Sequence, residues 1–136
     1  MSAKSNDKKI IPLDRKRLTN SFRFASFGIL QAYKGEQNLK IHTVMAVLVI
    51  VCGFLFHISY VEWLVCLVLI GLVLMAEFFN TAVEYVVDLA SPNIHPLAKA
   101  AKDTASAGVL MMAIISAVIG LIIFVPKVIT FIGGLL

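Results

Sequence analysis

The fold is decided by residues 75–108, MAEFFNTAVEYVVDLASPNIHPLAKAAKDTASAG, in which acidic and amide side chains interrupt an apolar sequence. Asn80, Glu84 and Asp88 follow Glu77 at offsets of 3, 7 and 11 residues. At about 100° per helical residue, all four side chains stay within about 60° of one direction and form one polar stripe. A charge near the centre of a bilayer costs roughly 2.5–3.5 kcal/mol, so this stripe indicates a functional site.

Composition places the stripe in a membrane protein. The chain has 136 residues, of which 60% are hydrophobic, whereas soluble domains have roughly 45–50% apolar residues. The mean hydropathy is +0.92. Cys52 and Cys66 lie in apolar runs without metal-ligand spacing, so we expect both to be packing residues. The length predicts a single domain covering residues 1–136.

Three apolar runs are long enough to cross a bilayer, because about 20 helical residues cover its hydrocarbon core of roughly 30 Å. A basic segment with apolar residues at helical spacing precedes them and is typical of an amphipathic surface helix. The predicted fold is therefore an all-α integral membrane protein with one surface helix and three transmembrane helices. The predicted segments are a flexible tail at 1–14, the surface helix at 15–35, and spans at 41–61, 63–83 and 104–126.

The distribution of charge predicts the orientation. Nine of the twelve Lys and Arg residues lie in residues 1–40, and two more lie in residues 88–103. Since basic segments stay on the cytoplasmic side, we expect a cytoplasmic N-terminus and an external C-terminus in a bacterial inner membrane. The basic residues flank the membrane, where anionic lipid attracts them, so nucleic acid is not expected as a partner.

The stripe and the following Lys102-Asp103 pair are expected at the cytoplasmic membrane surface. Carboxylates there can hold Mg²⁺ together with substrate phosphates, and a lysine can meet phosphate charge. A further carboxylate in apolar surroundings is suited to accept a proton. This set fits phosphoryl transfer from a nucleotide to a lipid hydroxyl. Neither a GxxxxGK[ST] loop nor a protein-kinase signature is present in the sequence, and a non-enzymatic pathway for protons or ions remains an alternative.

The motifs resemble those of a known family. The pattern Glu77-x-x-Asn80-x-x-x-Glu84, followed by YVVDLAS and by AKD at residues 101–103, resembles the prokaryotic diacylglycerol kinase family. The upstream pattern ExNLKIH at residues 36–42 is similar to the Gram-positive branch, whose members are chiefly undecaprenol kinases. The resemblance covers about residues 17–127, and Gln37 stands where relatives in this branch often have a basic residue.

The resemblance implies an ATP-dependent lipid kinase that acts as a homotrimer, with active sites between neighbouring subunits at the cytoplasmic face. Undecaprenol is the implied lipid alcohol, and diacylglycerol is the alternative. Glu77 would be the general base, Asn80 would orient the reacting groups, and Glu36 and Glu84 would hold the Mg²⁺ of Mg-ATP. The implied nucleotide contacts are Arg17, Glu36, Glu84, Asn93, Ile94, His95, Lys102 and Asp103.

Two other polar residues have simpler interpretations. Asp88 is expected either to end its helix or to pair with a lysine. His42 is expected to be a structural hydrogen-bonding residue at the edge of the membrane.

Overall fold

The computed structural model describes residues 15–93 and 95–134, and every regular element within these ranges is an α-helix. The helices are α1 (Arg15–Gly35), α2 (Gln37–Leu55), α3 (Tyr60–Ala90) and α4 (Pro96–Gly133). The all-α prediction is confirmed. The tail predicted at 1–14 and the predicted nucleotide contact Ile94 lie outside the described residues.

Three helices, α2, α3 and α4, are long and apolar enough to cross a membrane. They contain 19, 31 and 38 residues. At a rise of about 1.5 Å per residue, α3 is roughly 46 Å long and α4 roughly 57 Å, so both exceed a hydrocarbon layer of about 30 Å. The helix bounds do not show where the membrane surfaces lie. The spans at 41–61, 63–83 and 104–126 therefore stay predictions.

The chain divides into two compact units between residues 31 and 32. In the first unit, residues 15–31 of α1 are exposed and carry several large apolar side chains. The guanidinium carbon of Arg23 lies 5.3 Å from the centre of the Phe24 ring, a cation–π contact. The second unit contains the end of α1 and the three long helices.

A short turn joins α2 to α3. His57 adopts a positive φ of 47°, a conformation that histidine tolerates better than most residues. Ser59 begins α3 with a capping box, because its hydroxyl accepts from the backbone N–H of Glu62 and the Glu62 carboxylate accepts from the backbone N–H of Ser59. The Trp63 ring packs so closely on Gly53 that a Cβ there would lie 2.7 Å from a ring carbon. These contacts fix the α2–α3 hairpin.

Helix α4 packs antiparallel to α3, and two ion pairs join them. Lys102 Nζ lies 2.6 Å from Asp88 Oδ1 near one end, and Lys127 Nζ lies 3.1 Å from Glu62 Oε2 near the other. Helix α4 begins at Pro96, where the missing N–H is no loss.

Helix α4 also continues through Pro126 to Gly133, beyond the apolar run expected to end at Pro126. Proline removes one backbone donor, which membrane helices tolerate when nearby groups compensate. Thr130 donates its hydroxyl hydrogen to the Pro126 carbonyl at 3.0 Å.

An apolar cavity of about 540 Å³ lies between α2, α3 and α4. His42 lines it together with Cys52, Cys66 and Ser116, and most other lining side chains are aliphatic. Both cysteines are free thiols, and Cys66 is buried, which is consistent with their predicted packing role.

Candidate functional site

The polar stripe of α3 becomes progressively more exposed towards the end of the helix. Glu77 and Asn80 are buried, Glu84 is half-buried and Asp88 is exposed. The buried residues are the ones that meet the other helices, since Glu77 contacts His42 on α2 and Asn80 contacts Ser106 on α4. The helical spacing seen in the sequence therefore places one carboxyl group inside the protein and leads step by step to the surface.

Glu77 has an unusual environment for a carboxyl group. Its side chain is 1% exposed, and the nearest basic atom is His42 Nε2 on α2, 3.2 Å from Oε1. This contact lacks hydrogen-bond alignment, so neither carboxylate oxygen has a hydrogen-bond partner among the described residues. The negative charges of Glu36 and Glu84 also act on this carboxyl group. A buried carboxyl group without partners is costly and is retained where it reacts or binds.

Asn80 connects α3 to α4 through its amide. Its Nδ2 donates to Glu84 Oε1 at 2.9 Å, and its Oδ1 accepts from the hydroxyl of Ser106 at 3.3 Å. The sequence predicts the proximity of Asn80 and Glu84 from their spacing of four residues. It gives no comparable signal for Ser106, which reaches Asn80 because small residues near the start of α4 let the helices approach closely.

Lys102 pairs with Asp88 at 2.6 Å, so the lysine-pairing alternative for Asp88 is confirmed. The negative charge of Glu84 also acts on Lys102. The neighbouring Asp103 is exposed. The structure therefore brings Lys102 to the outer part of the polar stripe, whereas the side chain of Asp103 is exposed.

The predicted Mg²⁺ ligands are Glu36 and Glu84, and the acidic groups near them decide whether a metal ion could bind. Within residues 15–93 and 95–134, no group of three or more His, Cys, Asp or Glu side chains could hold a metal ion. Mg²⁺ needs only one or two protein carboxylates when phosphates and water complete its coordination. Glu36 stands at the N-cap of α2 without a capping hydrogen bond, and its charge, like that of Glu84, acts on Glu77. This concentration of acidic groups fits a cation that arrives with a nucleotide.

The remaining predicted nucleotide contacts lie on α1 and on the α3–α4 loop. Arg17 is exposed on α1, in the first compact unit. Asn93 and His95 are exposed at the start of α4, where His95 Nδ1 accepts from the backbone N–H of Leu97 at 3.2 Å. The free N–H groups at a helix N-terminus favour anions. The roles of these residues stay predictions.

Sequence analysis did not place His42 beside Glu77. A signal was available, because antiparallel spans bring the start of α2 to the level of the end of α3. His42, near the start of α2, therefore lies opposite the polar stripe. The other contact that fixes this region is the hydrogen bond between the Tyr33 hydroxyl and Thr43 Oγ1, at 2.6 Å, which joins the end of α1 to α2.

Three long apolar helices and a stripe of acidic and amide groups define a multi-pass membrane protein with an enzyme-like polar site. Residues 23–124 match the family model described as Prokaryotic diacylglycerol kinase. The chain therefore belongs to the prokaryotic diacylglycerol kinase family and is a lipid kinase.

Several curated proteins are similar over most of the chain. It is 45% identical over 111 residues to the undecaprenol kinase of Bacillus subtilis, covering 82% of this chain and 90% of that protein. It is 35% identical over 92 residues to the diacylglycerol kinase of Pseudomonas aeruginosa, covering 68% of this chain and 75% of that protein. It is 32% identical over 108 residues to the diacylglycerol kinase of Haemophilus influenzae, covering 79% and 92%, respectively. The first similarity supports the Gram-positive undecaprenol kinase branch.

Proposed function

We propose that this lipid kinase transfers the γ-phosphoryl group of Mg-ATP to the hydroxyl group of undecaprenol, giving undecaprenyl phosphate and ADP. Two observations support this substrate over diacylglycerol. The relative named undecaprenol kinase has a higher identity and a longer matched length than the diacylglycerol kinases of Pseudomonas and Haemophilus. The ExNLKIH segment at residues 36–42 also resembles the same branch.

The observation that carries the proposed mechanism is the isolation of the Glu77 carboxyl group. It is almost fully buried, and its two oxygens have no hydrogen-bond partner in the described part of the chain. Such a group is free to accept the proton of a lipid hydroxyl as the hydroxyl oxygen bonds to the γ-phosphorus. The bond from that phosphorus to the bridging oxygen of ADP then breaks. The proton moves from the alcohol to the carboxylate, and the phosphoryl group moves from ATP to the alcohol, leaving ADP.

Glu36 and Glu84 would hold Mg²⁺, which neutralises phosphate charge when it is bound with the nucleotide. Asn80 would orient Glu84, since its amide already donates to that carboxylate. Lys102 would meet phosphate charge after exchanging its contact with Asp88. The other proposed nucleotide contacts are Arg17, Asn93, Ile94, His95 and Asp103.

We further propose that the active enzyme is a homotrimer with sites between subunits, since three helices per chain are too few to enclose a nucleotide and a lipid together. The basic N-terminal region supports an amphipathic α1 lying on the cytoplasmic surface of a bacterial inner membrane, with the C-terminus outside. In this orientation Glu77 lies roughly 22 Å along α3 from Glu62, a point inside the bilayer but near its cytoplasmic edge.

The decisive experiment measures transfer of labelled phosphate from ATP to lipid by purified protein in detergent with Mg²⁺. Glu77→Gln should lower the activity by a factor of about 100 or more, as expected for loss of a general base, while oligomer size stays unchanged. Glu62→Gln is the matched control, since it makes the same change on the same helix and glutamine still completes a capping box. Full turnover by Glu77→Gln would show that Glu77 is not the base.

The same assay separates the two lipid alcohols. Undecaprenol and diacylglycerol are supplied side by side at equal mole fractions in detergent, and the wild-type kcat/KM for undecaprenol is expected to be higher. A higher value for diacylglycerol would overturn the substrate proposal while leaving the base assignment intact. A proton or ion pathway would instead give flux across vesicles that persists without nucleotide.

A further inference from the structure

The role of His42 emerges from its position between two different environments. His42 lines the apolar cavity between α2, α3 and α4. Its Nε2 atom lies 3.2 Å from Oε1 of Glu77. A lipid alcohol presents the same combination, an apolar chain that ends in one polar group. His42 therefore stands where apolar surroundings end and the carboxyl group begins.

The Glu77 carboxyl group needs a partner that holds it in place. Glu36 and Glu84 both act on it with charge of the same sign, and among the described residues His42 is the basic group that acts on it. A buried carboxylate surrounded by other carboxylates has no fixed direction unless a donor holds one of its oxygens. His42 Nε2 lies 3.2 Å from Glu77 Oε1 and is the basic side-chain nitrogen paired with that group in the part of the chain that the structure describes.

We propose that His42 is a positioning residue, which holds Glu77 Oε1 through its Nε2–H and leaves Oε2 to accept the proton of the lipid hydroxyl. The proposal rests on the proposed function, in which Glu77 is the base. The imidazole and carboxyl groups are at contact distance without hydrogen-bond alignment, and catalytic hydrogen bonds of this kind are often poorly aligned before substrate binds. A small rotation of the ring is enough to align them.

Three variants test the proposal in the labelled-phosphate assay. His42→Leu removes the donor, and kcat should fall about 10- to 100-fold, the cost of losing a hydrogen bond to a charged group, while KM for ATP stays unchanged. His42→Gln retains an N–H donor near the position of Nε2 and should recover most of the loss. His57→Asn is the matched control, since it replaces a histidine in the α2–α3 turn with a residue that tolerates positive φ.

A double-variant cycle shows whether His42 acts through Glu77. Glu77→Asp withdraws the carboxyl group from the imidazole by one methylene, so His42→Leu should cost less kcat in that background than in the wild type. Equal losses in both backgrounds would overturn the proposal, as would no recovery by His42→Gln. Should His42→Leu fail to assemble, His42→Asn replaces it, because its shorter amide does not reach Oε1.

The role of Glu77 and the role of His42 can be refuted separately. An active Glu77→Gln variant would refute the general-base assignment and with it the role of His42. An inactive Glu77→Gln variant combined with a fully active His42→Leu variant would refute only the role of His42. Unchanged kcat with a raised KM for ATP in His42→Leu would likewise reject a positioning role.

Discussion

Exchanging the amide of Asn80 and the carboxylate of Glu84 tests both the geometry of the site and its chemistry. In the structure Asn80 Nδ2 donates to Glu84 Oε1 at 2.9 Å. Asn80→Asp replaces that donor with an oxygen at almost constant volume, so two carboxylates face each other. Two unit charges at 2.9 Å repel by roughly 6 kcal/mol at an effective dielectric constant of about 20. Since Glu84 is half-buried and can move towards water, we expect a loss of about 2–4 kcal/mol in unfolding free energy.

Adding Glu84→Gln to Asn80→Asp restores one donor and one acceptor in exchanged positions. The new glutamine amide donates to the new aspartate, and Ser106 can still donate to that aspartate as it does to Asn80 Oδ1. Stability should therefore return to within about 1 kcal/mol of the wild type, the net value of one hydrogen bond. Activity should not return, because the proposed Mg²⁺ ligand is now an amide and the carboxylate lies one turn away.

Thermal unfolding in detergent measures the first effect, and a Mg²⁺ titration of phosphate transfer measures the second. Glu84→Gln alone is the control, since two amides can still form the hydrogen bond. It should unfold like the wild type, with activity about 10- to 100-fold lower and a higher Mg²⁺ requirement. A double variant that unfolds as early as Asn80→Asp would refute the described hydrogen bond. Wild-type Mg²⁺ dependence in both Glu84 variants would refute the metal assignment.

Two further predictions concern the other end of the site and the α2–α3 hairpin. Lys102→Met should raise KM for ATP about 10-fold with little change in thermal stability, whereas Asp88→Asn should leave KM nearly unchanged. Equal KM values in both variants would exclude Lys102 as a phosphate contact. Gly53→Ala should lower the unfolding midpoint, because its Cβ would lie 2.7 Å from the Trp63 ring, whereas Gly120→Ala, with nothing within 4 Å, should not lower it. Unfolding at the same temperature in the two alanine variants would contradict the close packing.

The sequence predicts features that depend on helical periodicity or on residues that start and end helices. The shared face of Glu77 and Asn80 follows from their spacing, and the start of α4 follows from Pro96. Contacts between helices are harder to predict from the sequence, because they depend on the relative axial position of the two helices. The contacts of His42 with Glu77 and of Ser106 with Asn80 are of this kind.

Continuation of α4 beyond Pro126 also escaped prediction, since proline is usually a signal that a helix ends. The helix nevertheless continues to Gly133, because membrane helices tolerate the loss of one backbone donor. The branch resemblance, in contrast, was readable from short motifs, and the 45% identity to the Bacillus protein supports it. Lipid preference has no comparable physical signal, because both alcohols present one hydroxyl beside long hydrocarbon chains.

The two ion pairs between α3 and α4 limit how thick a hydrocarbon layer the two helices can span. Glu62 and Asp88 are separated by roughly 39 Å along α3, and Lys102 and Lys127 by roughly 38 Å along α4. A hydrocarbon layer of about 30 Å fits between the two pairs when the helices tilt only modestly. A much thicker layer would place one charged pair within the hydrocarbon. In the proposed orientation, the depth of Glu77 follows from its distance to these charges along α3, and the protein would thereby determine how deep the lipid alcohol must reach.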